Sequence, residues 1–406
     1  MHAQSHLART NTTESSNRIV FLQYGNYADT VDRFANGEPE SYYAQRYSVD
    51  FTAGLLDIAE SVTVVCLNSE PYERMLPNGV CGLGLRVWQP GGMARLFNFL
   101  RHTQPTHAVV VTPMTKLLRW CARNGIRVLP MLADSFPQGG SRTRLRYWWL
   151  AHTLNRNVFP WIGNHNVNSA RDLARIGVDP AKIIPWDWPP QVTPDNYRAK
   201  ESPAPPPFRA IYVGHLSKAK GLTDALAAVA SLGGSDTAPH LTVLAGKTPS
   251  EEYLKLVREY GVSERVHFYT ERLPHRDVVA LMHEHDAVLV PSRHEYPEGL
   301  PMTIYDAFCA RTPLIASDHP MFAGKIAHEK NALVFRAGDP ASLAEAIRRL
   351  QVDTELFRAL SEGSRQAWLD LQCPVKWGDL ITRWLRATPE DDAWLGSHTL
   401  ASGTYD

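Results

Sequence analysis

Short apolar runs alternate along this chain with segments in which apolar residues recur every three or four positions. In the first half, residues 19–24, 62–67, 108–111 and 127–132 are apolar runs that predict strands, and the first of them ends in Gly25-Asn26, a turn signal. Tyr43, Tyr47, Phe51 and Leu55 stand four residues apart and predict one amphipathic helix. Helical segments are expected between the strands, and residues 170–176 predict a short helix leading into a last strand at 182–184. The alternation restarts at 209–213 and continues through 241–244, 266–269, 287–290, 314–316 and 332–335, with three helical segments after it. Strand and helix alternating at this spacing predict an α/β class built on doubly wound parallel sheets.

The two series are separated by a break in composition. Residues 186–207, WDWPPQVTPDNYRAKESPAPPP, hold seven prolines and cannot extend a sheet or a helix. The predicted organisation is therefore a flexible tail over 1–18, a first domain over 19–188, a linker over 189–207 and a second domain over 208–372. A C-terminal helix over 373–387 is expected to pack back on the first domain, and 388–406, opening with the polar run Pro389-Glu390-Asp391-Asp392, to be a flexible tail. Two such domains face each other across a cleft, and ligands of open α/β sheets bind outside the carboxyl ends of the strands.

Composition narrows the function classes. At 406 residues the chain exceeds one ordinary core, and 44% hydrophobic with 21% charged residues is the balance of a globular protein. Formal net charge is zero and no nucleic-acid motif occurs, so no nucleic-acid partner is expected. Cysteines 66, 81, 121, 309 and 373 are scattered without a C-x-x-C pair and read as free thiols. No apolar run reaches the roughly 18 residues of a membrane span. The first 18 residues lack the apolar centre of a leader, and the expected location is cytoplasmic.

The richest chemistry lies in residues 291–320, PSRHEYPEGLPMTIYDAFCARTPLIASDHP. Met302, Tyr305 and Cys309 mark a helix between two strand signals, so the element reads strand, tight turn, helix, strand. That order puts a helix N-terminus at the carboxyl edge of a sheet, where free N–H groups and the helix dipole attract phosphate. Glu298 and Asp306, eight positions apart around a Gly-Leu-Pro turn, are placed to hold hydroxyl groups on either side of a diphosphate.

This element resembles the E-x7-E signature of the retaining glycosyltransferases of family 4, here Glu298-x7-Asp306. VGHLSKAKGL at 213–222 resembles the family's entry to its second domain, 264–292 its next two strands, and 330–350 its closing strand and helix. Residues 166–184 resemble the end of its first domain, while the start of the chain is only weakly similar. The resemblance implies a GT-B fold, two Rossmann-like domains facing a cleft, and metal-independent retaining transfer from a nucleoside diphosphate sugar. No D-x-D triplet occurs, so no metal is expected and no cofactor beyond the donor itself, a UDP-sugar or GDP-sugar.

The resemblance also implies roles. Lys220 and His215, the latter where relatives carry arginine after Gly214, would neutralise the departing diphosphate. Glu298 would contact the transferred sugar and Asp306 the ribose hydroxyls. The amides of Gly299, Leu300, Met302 and Thr303 would surround the phosphates, and Arg272 and Leu273 would hold the base. In the first half, Gly25 is either a loop close to the diphosphate or an ordinary turn glycine. Relatives often place a histidine at the end of the central strand; here Asp134 is the nearest candidate to orient an acceptor, or else a helix cap. Residues 141–156, SRTRLRYWWLAHTLNR, with four arginines and no acid, read either as a core helix with a solvated basic edge or as a peripheral contact with the inner membrane surface.

The expected activity is hexosyl transfer to a saccharide, lipid-linked or other hydroxyl acceptor in polysaccharide or glycoconjugate biosynthesis. Two rivals remain: another enzyme of this fold, such as a nucleotide-sugar epimerase or a disaccharide synthase, and a catalytically weak binding or assembly subunit.

Overall fold

A computed structural model describes residues 17–40, 43–233, 237–296 and 299–405. Its first half runs β1 (Arg18–Gln23), α1 (Tyr27–Ala35), α2 (Gln45–Gly54), β2 (Ser61–Cys66), β3 (Asn68–Met75), β4 (Cys81–Arg86), α3 (Gly92–Thr103), β5 (His107–Val110), α4 (Thr115–Arg123), β6 (Arg127–Leu132), α5 (Ser141–Leu154), β7 (Ile162–His165), α6 (Val167–Arg175) and β8 (Ile183–Trp186). These strands form one sheet in the order β3-β4-β2-β1-β5-β6-β7-β8. All its pairings are parallel except the edge pair β3–β4.

The second half runs β9 (Arg209–Val213), α7 (Leu222–Ser231), β10 (His240–Leu244), α8 (Glu251–Glu259), β11 (Val266–Tyr269), α9 (His275–Glu284), β12 (Ala287–Val290), α10 (Met302–Cys309), β13 (Leu314–Ser317), β14 (Leu333–Phe335), α11 (Pro340–Val352) and α12 (Thr354–Leu371). Its sheet is parallel throughout, in the order β11-β10-β9-β12-β13-β14. Helices cover both faces, so the strands are apolar on both sides; β12 is buried at every position. The architecture is the expected pair of Rossmann-like domains, and the second set of strands lies within a residue or two of the apolar runs that predict it.

Three regions depart from the sequence reading. Where helix was expected after β2, the chain makes β3 and β4, because Asn78-Gly79 between them supplies the turn, with Gly79 at φ 81. β7 was not anticipated; its Gly163 and Asn164 look unlike a strand, yet both are buried between β6 and β8. Within the predicted tail, the described residues 388–405 are not frayed. After α13 (Trp377–Arg386) the chain forms α14 (Pro389–Gly396), capped by Thr388 with Pro389 at the first position and acids in the first turn. Asp391 accepts from Arg383 at 2.9 Å and from Arg386 at 2.7 Å, and Leu395 is fully buried. The polar run that suggested fraying is a helix start.

α13 itself packs on the first sheet: Trp377, Leu380, Ile381 and Trp384 join Phe21, Val64 and Leu129 in one core. The linker is tied to the second domain by Lys200, whose buried amine donates to Thr312 Oγ1 at 2.9 Å and to the His285 carbonyl. No helix among the described residues is long and apolar enough to cross a membrane.

Candidate functional site

The loop after β9 is held by its backbone before any ligand is considered. Gly221 sits at φ 76, and a side chain there would overlap the Pro291 carbonyl oxygen at the end of β12. The Arg293 N–H donates to the Ala219 carbonyl at 2.9 Å, and the Arg293 guanidinium grips Asp224, in the first turn of α7, through two bonds of 2.8 and 2.6 Å. Asp224 is 2% exposed, so the carboxylate of this bidentate pair is buried. Together these contacts fasten the His215–Lys220 loop to the strand beside it. The Lys220 ammonium lies 4.8 Å from the centroid of the Tyr296 ring.

A cleft of about 580 Å³ opens at the carboxyl edge of the second sheet. It is lined by Gly214, His215, Lys220, Arg272, Leu273, Met302, Thr303 and Asp306 among others, so residues scattered over ninety positions converge on one space. The start of α10 points into it, with Pro301 in the cap position and the Thr303 hydroxyl donating to the Val213 carbonyl at 3.3 Å. That arrangement suits an anion.

Asp306 is 7% exposed, and its Oδ1 lies 2.9 Å from His275 Nε2, at the start of α9. Burial of His275 lowers its pKa, but the Asp306 hydrogen bond and charge, with a contribution from Glu40, outweigh burial and raise it. One Asp306 oxygen is thus committed to His275. His275 Nδ1 is buried without a hydrogen-bond partner among the described residues. Sequence reasoning missed His275, because a lone histidine opening a helix carries no pattern. It also missed Tyr43. The four-residue spacing assigned Tyr43 to a helix face, but α2 starts at Gln45 after a left-handed Ala44, so Tyr43 turns aside, meets the His275 ring edge-on at 4.9 Å and lines the cleft. The first domain therefore contributes to the cleft wall.

Other predicted positions fall elsewhere. Leu300 is 3% exposed within the hydrophobic core beside α10, and Gly299 faces the start of α6, where a side chain would meet Ser169 Oγ at 3.2 Å. Neither lines the cleft. Gly25 is exposed at the end of β1 with open space around it and stands away from the cleft. Glu298 lies outside the described residues.

Asp134 follows β6 and is half-buried; burial pushes its carboxyl up to about 6. It caps no helix: α5 begins at Ser141. A folded-state pKa above the unfolded value means that ionising Asp134 costs stability, a cost absent below about pH 4 and complete above about pH 6. Asp134→Asn is expected to raise stability by up to about 3 kcal/mol at pH 7.5 and by nothing at pH 3.5. Urea unfolding at the two pH values measures this, and equal changes at both would remove the electrostatic explanation.

α5 divides its surface. Leu150, Ala151 and Leu154 enter the core of the first domain, while Leu145, Trp148 and Trp149 remain 58%, 54% and 42% exposed. Arg119 of α4 lies over the Trp149 ring at 5.6 Å. The helix has a core face, and its open face is aromatic as well as basic.

Comparison with known proteins agrees with this geometry. Residues 194–367 match the family model described as glycosyl transferases group 1. A glycogen synthase of Mycobacterium tuberculosis is 29% identical over 168 residues, 41% of this chain and 40% of that protein. The chain thus aligns with less than half of the curated relative's length. The solved sucrose-phosphate synthase of Thermosynechococcus elongatus superposes with a TM-score of 0.65 at 16% identity, covering 92% of this chain and all of that one. The Anabaena protein Alr3699/HepE in complex with UDP-glucose superposes with a TM-score of 0.61 at 15% identity, over 93% of this chain and 99% of that one. The chain has the GT-B fold of these structures, and its second half is similar to the glycosyl transferases group 1.

Proposed function

We propose that this protein transfers a sugar from a nucleoside diphosphate sugar to a hydroxyl acceptor in polysaccharide or glycoconjugate biosynthesis, with retention at the anomeric carbon and without a metal ion. The observation that carries the reading is the convergence of Lys220, His215 and the start of α10 on one cleft, within the segment that matches the family model. A structural neighbour in complex with UDP-glucose supports a nucleotide-sugar donor. Retention is what the Glu298-x7-Asp306 element implies by its resemblance to the family signature.

The chemistry follows from charge. As the bond from the anomeric carbon to the diphosphate oxygen breaks, negative charge collects on the departing phosphate. The Lys220 ammonium, His215 and the N–H groups of Met302 and Thr303 meet it in a partly enclosed cleft, where such interactions are strong. The acceptor hydroxyl attacks the same face of the sugar and its proton passes to the leaving phosphate. Asp306, held in place by His275, accepts hydrogen bonds from the ribose hydroxyls, while Arg272 and Leu273 border the base.

Calorimetry with UDP, GDP and their glucose and mannose conjugates tests the donor. One nucleotide is expected to bind, and labelled donor is expected to yield a glycosylated product at a rate that EDTA leaves unchanged. Strong EDTA inhibition would mean that a metal takes part. Failure of every nucleotide to bind would sink the enzyme reading in favour of a binding or assembly subunit.

The open face of α5 supports peripheral attachment to the inner, cytoplasmic membrane surface, with Trp148 and Trp149 in the interface and Arg142, Arg144 and Arg146 meeting anionic lipid. Sedimentation with vesicles containing phosphatidylglycerol is expected to capture the protein at low salt, and Trp148→Ala with Trp149→Ala to release most of it. Equal recovery of wild type and double variant would remove this surface from consideration.

A further inference from the structure

Two large aromatic rings stand in the open at the carboxyl edge of the first sheet. Tyr24 follows β1 and Trp88 follows β4; their rings are stacked, 5.8 Å between centroids and 21° between planes, yet they remain 43% and 56% exposed. Burial of both would remove on the order of 100 Å² per ring from water, so leaving them open forgoes stability that a purely structural pair would recover. Beside them lies a cavity of about 480 Å³ lined by Trp88, Asn26, Asn68, Ser69, Glu70, Arg86 and Gln89.

The lining is chemically specific. Side-chain amides, a carboxylate and a guanidinium are planar groups with paired donors or acceptors, matched to two neighbouring hydroxyls. Glu70 and Arg86 form an ion pair with each other, so the formal charge of the lining cancels. A phosphate or an acid would find no net attraction there. A neutral ring with an apolar C–H face and equatorial hydroxyls fits both features: the face lies on an aromatic ring and the hydroxyls meet the planar groups.

The location adds a connection. Burial, with the charge of Asp134 after β6 adding to it, raises the Tyr24 hydroxyl to about 12, so Tyr24 stays protonated at neutral pH. The cavity just beyond Asp134, lined by Ser135, Pro137 and Gln138, shares Tyr296 with the donor cleft. Tyr24, Trp88 and Ser135 all follow parallel strands of the first sheet, so the aromatic pair and that cavity share its carboxyl edge.

We propose that Tyr24, Trp88 and the adjoining cavity form a binding subsite for a neutral pyranose unit, the distal sugar of an oligosaccharide acceptor. Its role as an acceptor subsite rests on the transferase reading above; the capacity to bind a saccharide does not. Saturation-transfer NMR and tryptophan fluorescence with maltotriose, cellotriose and chitotriose test it on the full chain. At least one is expected to bind, with Trp88→Ala lowering affinity about tenfold and Trp88→Phe retaining most of it. Trp88 is exposed, so folding is not at stake. Calorimetry with UDP on the same variants separates the two readings, because nucleotide binding is expected to be unaffected. If UDP does not bind but a trisaccharide binds through Trp88, the donor reading fails and this site stands. If no trisaccharide binds the wild type, or Trp88→Ala binds as well as wild type, the subsite is overturned whatever UDP does.

Discussion

Replacing Lys220 by alanine is expected to lower turnover by about 10² to 10³, the size observed when one charge-stabilising group is removed from a preorganised site. Nucleotide affinity should fall much less. The ammonium meets modest charge on the bound diphosphate and greater charge as the glycosidic bond breaks, so its contribution grows toward the transition state. Lys220 is also positioned without help from the ligand, since Gly221, Pro291 and the Arg293–Asp224 pair fix its loop and Tyr296 lies beneath its ammonium. Arginine at 220 carries the charge on a longer, planar head and should restore only part of the rate. Steady-state kinetics alongside UDP calorimetry measures both quantities. Unchanged turnover in the alanine variant would exclude Lys220 from leaving-group stabilisation, and a loss of affinity with unchanged turnover would make it a ground-state binding residue.

The second large effect is expected from Gly221→Ala, one methyl group next to the lysine. A left-handed backbone alone costs a non-glycine residue about 1–2 kcal/mol. Gly125 provides that reference, because it sits at φ 72 with open space around it. At Gly221 the added carbon also overlaps the Pro291 carbonyl, backbone that cannot swing aside as a side chain can. Gly221→Ala should therefore lose about 3 kcal/mol or more, against about 1 kcal/mol for Gly125→Ala. Turnover of the folded fraction should also drop in Gly221→Ala alone, since relief of the clash displaces the Lys220 loop. Urea unfolding of both variants makes the comparison, and equal losses would show that the contact with β12 contributes nothing.

The central strands β12 and β13 of the second domain were legible because they are buried on both faces and so appear as uninterrupted apolar runs. α10 was legible because Met302, Tyr305 and Cys309 keep helical spacing between two such runs. β3, β4 and β7 were obscured for the opposite reason. β3 is an exposed edge strand with little apolar content, and β7 is buried through a glycine and an asparagine rather than large side chains. α14 was misread because a helix start and a frayed end are both rich in small, acidic and proline residues; Arg383 and Arg386 decide between them by closing on Asp391.

Local chemistry along the chain determined the α/β class, the break between two domains, and the loop and helix whose Lys220, His215 and Asp306 come to line one cleft, because apolar periodicity and turn residues act over a few positions and survive any arrangement of the whole. Only the tertiary structure decided that Asp306 is bound by His275, that Tyr43 crosses from the first domain to the cleft, that Gly299 and Leu300 turn away from it, and that Tyr24 and Trp88 stack in the open. Each of these depends on residues from separate elements meeting in space. Such meetings follow from how sheets and helices pack, and no spacing along the chain records them.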